Sequence, residues 1–422
     1  MRTLPPLPEF VKLEHQVAQL LQQQEQHGWF FNERAAWELE STLRTELREI
    51  EETLRRRFPF VPGNEVTPKR DNRTTGYRKG ATFTRLKDFN PGSRDHIAFI
   101  LRNYYQWEPT KLTPTGKPII DETVLTEIGS EISMMFLQLM TITKQLGFLS
   151  QGANAWLKLV TNDRIHHHCS VATVSHRAAH RSPNLGQVPS TSAFRSLFTA
   201  TPGQTLVGAD LSGIELRMLA HYLARYDGGR YADILLNGDI HQVNADRVGV
   251  SRRLVKSITY ATLYGAGAEK IGHTYDDQLS TAAAKKKGAE IQQAFIDAID
   301  GYGDLLAAVK KAAERGYIKA IDGRKIKVDS PHKSLNALLQ SSSGVIAKRW
   351  MVINNETLLS TNICASQLAF IHDELQFECE PQHAKDLSTS LVFSAAKAGE
   401  YYKLRVPIGA EAKIGANWWE VH

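Results

Sequence analysis

Cysteine is nearly missing from this 422-residue chain: Cys169, Cys364 and Cys379 stand alone. With no paired spacing among them, neither a zinc site nor a disulfide framework can organise the fold. Long apolar runs are missing too. Met1-Arg2-Thr3-Leu4-Pro5 opens no signal-peptide pattern, and no later run reads as a membrane span. The expectation is an intracellular, cytoplasmic protein without a membrane partner. Internal repeats and low-complexity tracts are also absent. A net charge of +6 and a pI near 9.0 favour an anionic partner only mildly. The length allows two or three cores, whether one multilobed enzyme or two domains.

The most informative pattern present is Arg252, Lys256, Tyr260 and Tyr264, followed at once by Gly265. On a helix, steps of four overshoot each turn by about 40°, so these side chains form one slowly winding stripe roughly 18 Å long. Ser251 is placed to cap its start and Gly265 to end it. Two cations and two aromatic rings suit a nucleoside triphosphate. An exposed helix with solvated cations and packed tyrosines gives the same spacing.

Acidic residues elsewhere favour the first reading. Thr205–Ala209 reads as a buried strand ending on Asp210, with a helix from Leu211 through Tyr222. Leu368–Ile371 and Leu375–Cys379 read as two strands around His372-Asp373-Glu374. Carboxylates at an apolar hairpin tip are costly unless water, a cation or a partner neutralises them. Two aspartates at strand ends, flanking a phosphate-binding helix in sequence, suggest a two-metal phosphoryl-transfer centre.

Asp210-Leu211-Ser212-Gly213-Ile214-Glu215-Leu216-Arg217, the stripe ending Tyr264-Gly265, and His372-Asp373-Glu374 resemble motifs A, B and C of family A DNA polymerases, the DNA polymerase I family. Asn237–His241, Leu335–Ser341 and Gly415–Trp418 narrow the resemblance to the replicative polymerases of short-tailed phages, from about residue 10 onward. The resemblance implies an α+β right-hand fold: thumb at 1–160, palm at 161–221 and 344–422, fingers at 222–343. It implies a template-directed DNA polymerase whose Asp210, Asp373 and Leu211 carbonyl bind two Mg²⁺, with Mn²⁺ able to substitute and Glu374 in support. Arg252, Lys256, Tyr260, Tyr264 and His241 would bind the dNTP, Lys256 also donating a proton to the leaving pyrophosphate. Glu215 would block a ribose 2′-OH with Tyr260 as its partner; by spacing alone, Ser212 and Glu215 also fit a capping box, and Arg217 could pair with that acid. Arg177, Gln340, Asn336, His332, His372, Asn90 and Arg94 would contact primer and template.

Several further expectations follow. The first 160 residues read as mostly helical, with Leu13, Val17 and Leu21 on one face, then Ala36, Leu43, Ile50 and Leu54 after a break at Gly28. Residues 59–88 read as a loop whose cations are either simply solvated or in contact with phosphates. Where some phage relatives carry a long insertion that recruits thioredoxin, this stretch is too short, so thioredoxin is not carried over. No Asp-x-Glu occurs anywhere, so no 3′→5′ exonuclease is expected; a separate exonuclease, a helicase-primase or a single-strand-binding protein could be partners. His176 and Ala261 stand where the family usually has glycine. His166, His167 and His168 are adjacent on an extended segment and should not converge on a metal. A single-subunit RNA polymerase and a non-catalytic DNA-binding remnant are the alternatives.

Overall fold

The computed structural model describes residues 6–276 and 279–422; Met1–Pro5, read above for a signal pattern, lies outside them. Two compact units divide the chain: residues 33–159, and residues 1–32 with 160–422.

The larger unit is built on a four-stranded antiparallel sheet of β1 (Thr205–Leu211), β2 (Ala365–Ile371), β3 (Glu374–Cys379) and β4 (Ala410–Gly415), in the order β2-β3-β1-β4. β3 is buried along its length and β1 nearly so, but only β1 carries an apolar run, Leu206–Ala209. β3 alternates Glu374, Gln376 and Glu378 with Leu375, Phe377 and Cys379, and hydrogen bonds meet its buried polar side chains. The helices that matter for function are α1 (Glu9–His27), α2 (Ile214–Leu223), α3 (Ile240–Val248), α4 (Arg252–Leu263), α5 (Ser334–Thr361) and α6 (Ala384–Tyr401). α5 runs through the core, with every residue from Ser341 to Val352 buried. α1 packs on β2 and α5, so it groups with the sheet and not with residues 33–159. Buried charges fix it there: Glu14 accepts from Lys348 at 2.8 and 2.9 Å and also from Arg324.

The smaller unit packs helices Glu33–Arg57, Arg94–Tyr105 and Glu131–Leu146 around Leu54, Ile97, Leu101, Phe136 and Leu139. Two expectations change here. Residues 60–88 are not a plain loop: Phe60–Val66 and Phe83–Asp88 pair as an antiparallel hairpin, irregular between Pro62 and Glu65. Proline, glycine and the exposure of most of their side chains hid the strands, and stacking of Tyr77 on Phe83 helps to close the hairpin. The stretch Glu131–Leu159 is also apolar and long enough to cross a membrane by length and composition alone. The core helix of a folded unit passes the same test. Here Ile132, Phe136, Leu139, Ile142 and Leu146 are buried in that unit, and a π turn interrupts the stretch at Gly147–Gln151.

Candidate active site

Strand register brings the acids together. Glu374 lies directly opposite Asp210 on β1, and Glu411 of β4 flanks Asp210 from the other side. Ile371 pairs with Glu374, leaving His372 and Asp373 as a two-residue turn. His372 has φ +58°, a left-handed conformation that a hairpin tip demands and a side chain tolerates poorly. The Asp373 carbonyl accepts from the Leu211 amide at 3.0 Å, tying the turn to the end of β1.

The electrostatics are those of crowded carboxylates. Burial, then Asp373 and Glu374, push the Asp210 carboxyl up to about 7. Burial and Glu215 raise Asp373 to about 6, against the pull of Arg177. Glu374 goes the other way. Burial raises it, but bonds from His422 at 3.0 Å, Trp418 at 2.7 Å and Gln376 at 2.6 Å outweigh that and hold it below the usual range. One carboxylate is thus internally neutralised, and two remain short of positive charge.

Beyond β1 the chain departs from the sequence reading. α2 starts at Ile214, not at Leu211, because Gly213 takes φ +55° at the N-cap and no side chain caps the helix. The Ser212–Glu215 capping box does not form. Arg217 does not pair with Glu215 either; it donates to the carbonyls of Ser212 and Pro407. Glu215, nearly buried, pairs with Arg177 and accepts from the Tyr264 hydroxyl at 3.2 Å. Its tyrosine partner is therefore Tyr264 and not Tyr260. Tyr264 sits at the C-cap of α4, where the helix end reaches α2, whereas Tyr260 packs toward the core and faces His241 at 6.1 Å.

α4 runs from its Ser251 cap to Tyr264, with Gly265 at φ +73°. At its start Arg252 pairs with Asp239 at 2.7 Å, and Asp239 also caps α3. Lys256 is exposed and has no ion-pair partner among the described residues. His241 leaves a buried Nδ1 unbonded. Asn336 and Gln340 lie one turn apart on α5, and Asn336 donates to the Leu263 carbonyl at the end of α4. His332 precedes α5 and lines a cavity of about 500 Å³ with Gly265 and Asn336. Asn90 and Arg94 belong to the other unit, where the Asn90 side chain accepts from the Gly92 amide and Arg94 opens a helix capped by Ser93.

Glu411, Lys413 and His422 escaped the sequence reading. They line a cavity of about 230 Å³ with Asp210 and Glu374. Only strand register places them there, and no local motif announces it. Trp418, noted only as part of a terminal motif, proves to be a buried donor to Glu374. The three adjacent histidines turn to separate partners: His166 to the Glu25 carbonyl, His167 to Gln24 and His168 to the Glu25 carboxylate.

An antiparallel sheet with carboxylates at its turn end, met by a helix bearing cations and tyrosines, defines the class as a right-hand polymerase. Residues 67–420 match the family model for DNA polymerase family A. The chain is 33% identical to the DNA-directed DNA polymerase of Enterobacteria phage T3 and 32% to that of Escherichia phage T7, each alignment covering 98% of this chain and 70% of the relative. It is 28% identical to DNA polymerase I of Pseudomonas aeruginosa, over 80% of this chain and 39% of that one. A solved structure, the POL domain of Pol1 from M. smegmatis in complex with DNA primer-template and dNTP, has the same fold, with a TM-score of 0.77 at 23% identity, covering 97% of this chain and 70% of that one. The chain belongs to family A of the DNA-directed DNA polymerases.

Proposed function

We propose that the protein extends a primer 3′-OH on a DNA template, using two divalent cations, and that these 422 residues carry no 3′→5′ proofreading activity. The observation that carries the reading is the joint placement of Asp210 and Asp373 at one sheet end, with Tyr264 of the stripe helix bonded to Glu215 beside them. The absence of any Asp-x-Glu supports the lack of proofreading.

Asp210, Asp373 and the Leu211 carbonyl form an oxygen donor set suited to Mg²⁺, or to Mn²⁺ in its place. Among the described residues no group of three or more His, Cys, Asp or Glu could hold a metal alone. Two carboxylates and a carbonyl fit an ion whose shell is completed by substrate phosphates. When bound, the cations supply an activated 3′-hydroxyl and charge neutralisation at the pyrophosphate.

The chain's own residues do the rest. Arg252, Lys256 and His241 grip the triphosphate, for which Arg252 must leave Asp239, and Lys256 protonates the leaving pyrophosphate. Glu374 fixes the hairpin beside Asp373. Tyr264 and Glu215 close the space a 2′-OH would occupy, and Tyr260 packs on the sugar and base. Arg177 and Gln340 donate to minor-groove acceptors of the terminal pair. His372 lies at the primer end, Asn336 and His332 serve the template side, and Asn90 and Arg94 grip the duplex backbone. In this reading residues 161–221 and 344–422 are palm, 222–343 fingers, and 33–159 the body of a thumb read from sequence as 1–160.

Primer extension with Mg²⁺ and dNTPs, comparing wild type with Asp373→Ala, tests the reading; a dNTP-free reaction tests for primer shortening. Extension by wild type alone, without shortening, is the expected result. Tight duplex binding without extension would favour a DNA-binding remnant, and equal use of ribonucleotides an RNA polymerase.

A further inference from the structure

His176 stands in the segment that leads into Arg177, and its backbone is left-handed at φ +58°. Glycine adopts that conformation freely and histidine holds it at some cost, which a side-chain contact can offset. The contact is specific: His176 Nδ1 lies 2.8 Å from the hydroxyl of Ser341, a fully buried residue of α5. Ser341 immediately follows Gln340. One turn further, Gly344 leaves room for the same segment, since a Cβ there would lie 3.1 Å from the His176 carbonyl oxygen. On the other side, the segment closes on itself. His176 N donates to the Thr173 carbonyl at 3.1 Å, and the Thr173 hydroxyl donates to the Arg177 carbonyl at 2.6 Å. Arg177 then reaches Glu215.

From this arrangement we infer that His176 is a positioning residue for terminal-pair checking: its bond to Ser341 fixes the spacing between Arg177 and Gln340. The inference rests on the reading of those two side chains as minor-groove donors. Watson–Crick pairs present their minor-groove acceptors at nearly constant positions, and mismatches displace them. Donors held at a fixed span lose a bond to a displaced acceptor, and a donor left unpaired beneath the bound duplex penalises extension. A looser span would let Arg177 follow the misplaced base. His176 touches neither substrate nor reacting atoms in this account; it acts through Arg177.

The experiment uses the full chain and measures single-nucleotide extension of matched and mismatched primer termini by wild type, His176→Gly, His176→Asn and Ser341→Ala. Glycine adopts the left-handed backbone without strain, so His176→Gly should keep the path of the segment while losing the bond to Ser341. Expected is a rise of about five- to tenfold in mismatched relative to matched extension for His176→Gly and Ser341→Ala, with matched extension within about twofold of wild type. Asparagine tolerates the left-handed backbone and can still reach Ser341, so His176→Asn should return the ratio toward wild type. The double variant His176→Gly/Ser341→Ala should exceed neither single one, because both break the same bond. An unchanged ratio in both singles, equal losses on both primers, or additive effects in the double would overturn the inference. Failure of wild type to extend a matched primer would instead overturn the polymerase reading, and this inference with it.

Discussion

Replacing Asp373 by Asn should stabilise the metal-free protein at pH 8 while abolishing extension. The carboxyl is raised from 3.8 to about 6, with burial and Glu215 as the leading causes. The folded protein therefore holds this proton more tightly than the unfolded chain does. Below about pH 4 the group is protonated in both states and contributes nothing. As pH rises through about 6 the folded state must carry an unwelcome charge, and stability is lost; above that the loss is constant. Carrying that charge costs the folded state about 3 kcal/mol if it is fully desolvated. Solvent at the rim of a partly exposed site reduces that to about 1–2 kcal/mol. Asparagine keeps the shape and removes the charge. For a unit of this size the gain should appear as roughly 2–4 °C in the melting of the sheet-bearing unit in EDTA at pH 8. The gain should shrink toward zero near pH 4. Adding Mg²⁺ with primer-template and dNTP should reverse the order, stabilising wild type more than the variant. Calorimetric melts across pH 4–8 give the measurement. If Asn lowers the melting temperature at pH 8, or raises it equally at pH 4, the carboxylates are not electrostatically strained and the argument for a cation site fails.

Three other outcomes are expected. Glu215→Ala removes the acceptor of Tyr264 and should raise ribonucleotide relative to deoxynucleotide incorporation by roughly 10²-fold; an unmoved ratio with normal dNTP use would contradict the gate. Glu378 is held at about 2: burial raises it, but bonds from His27, Thr201 and Arg164 prevail. Its contribution is present above about pH 4.5 and lost as pH falls toward 2, so Glu378→Gln should cost about 2–3 kcal/mol at pH 7 and progressively less in acid-unfolding series. On the hairpin of the smaller unit, Arg85 and Lys87 are exposed. If they touch duplex phosphates, replacing both by Ala should reduce the slope of log affinity against log salt by about 1–2; an unchanged slope would make them merely solvated.

Residues adjacent in sequence, or repeating at a helical interval, were legible without a structure. The α4 stripe, its Ser251 cap and its Gly265 stop could be read because capping and periodicity are local. The tip at His372-Asp373 was legible for the same reason. What failed was whatever depends on pairing across the chain. Glu411 reaches Asp210 only because β4 adds to the outer side of β1 in one register, and a shift of one residue would turn it to the opposite face. The hairpin at 60–88 was missed because its exposed strands bury too little to leave an apolar alternation. The misplaced partner of Glu215 has another cause. A stripe in steps of four lines up Tyr260 and Tyr264 almost equally, so spacing alone cannot say which hydroxyl meets the acid. That depends on where the helix stops. Because α4 ends at Leu263, Tyr264 sits at the C-cap, half-exposed, with its hydroxyl on Glu215, while Tyr260, a full turn back, is partly buried against the core. The residue that ends the helix therefore decides which tyrosine can stand at the gate. Gly265 supplies the left-handed turn, and a substitution there that prolonged α4 would displace Tyr264 from Glu215 without touching either side chain.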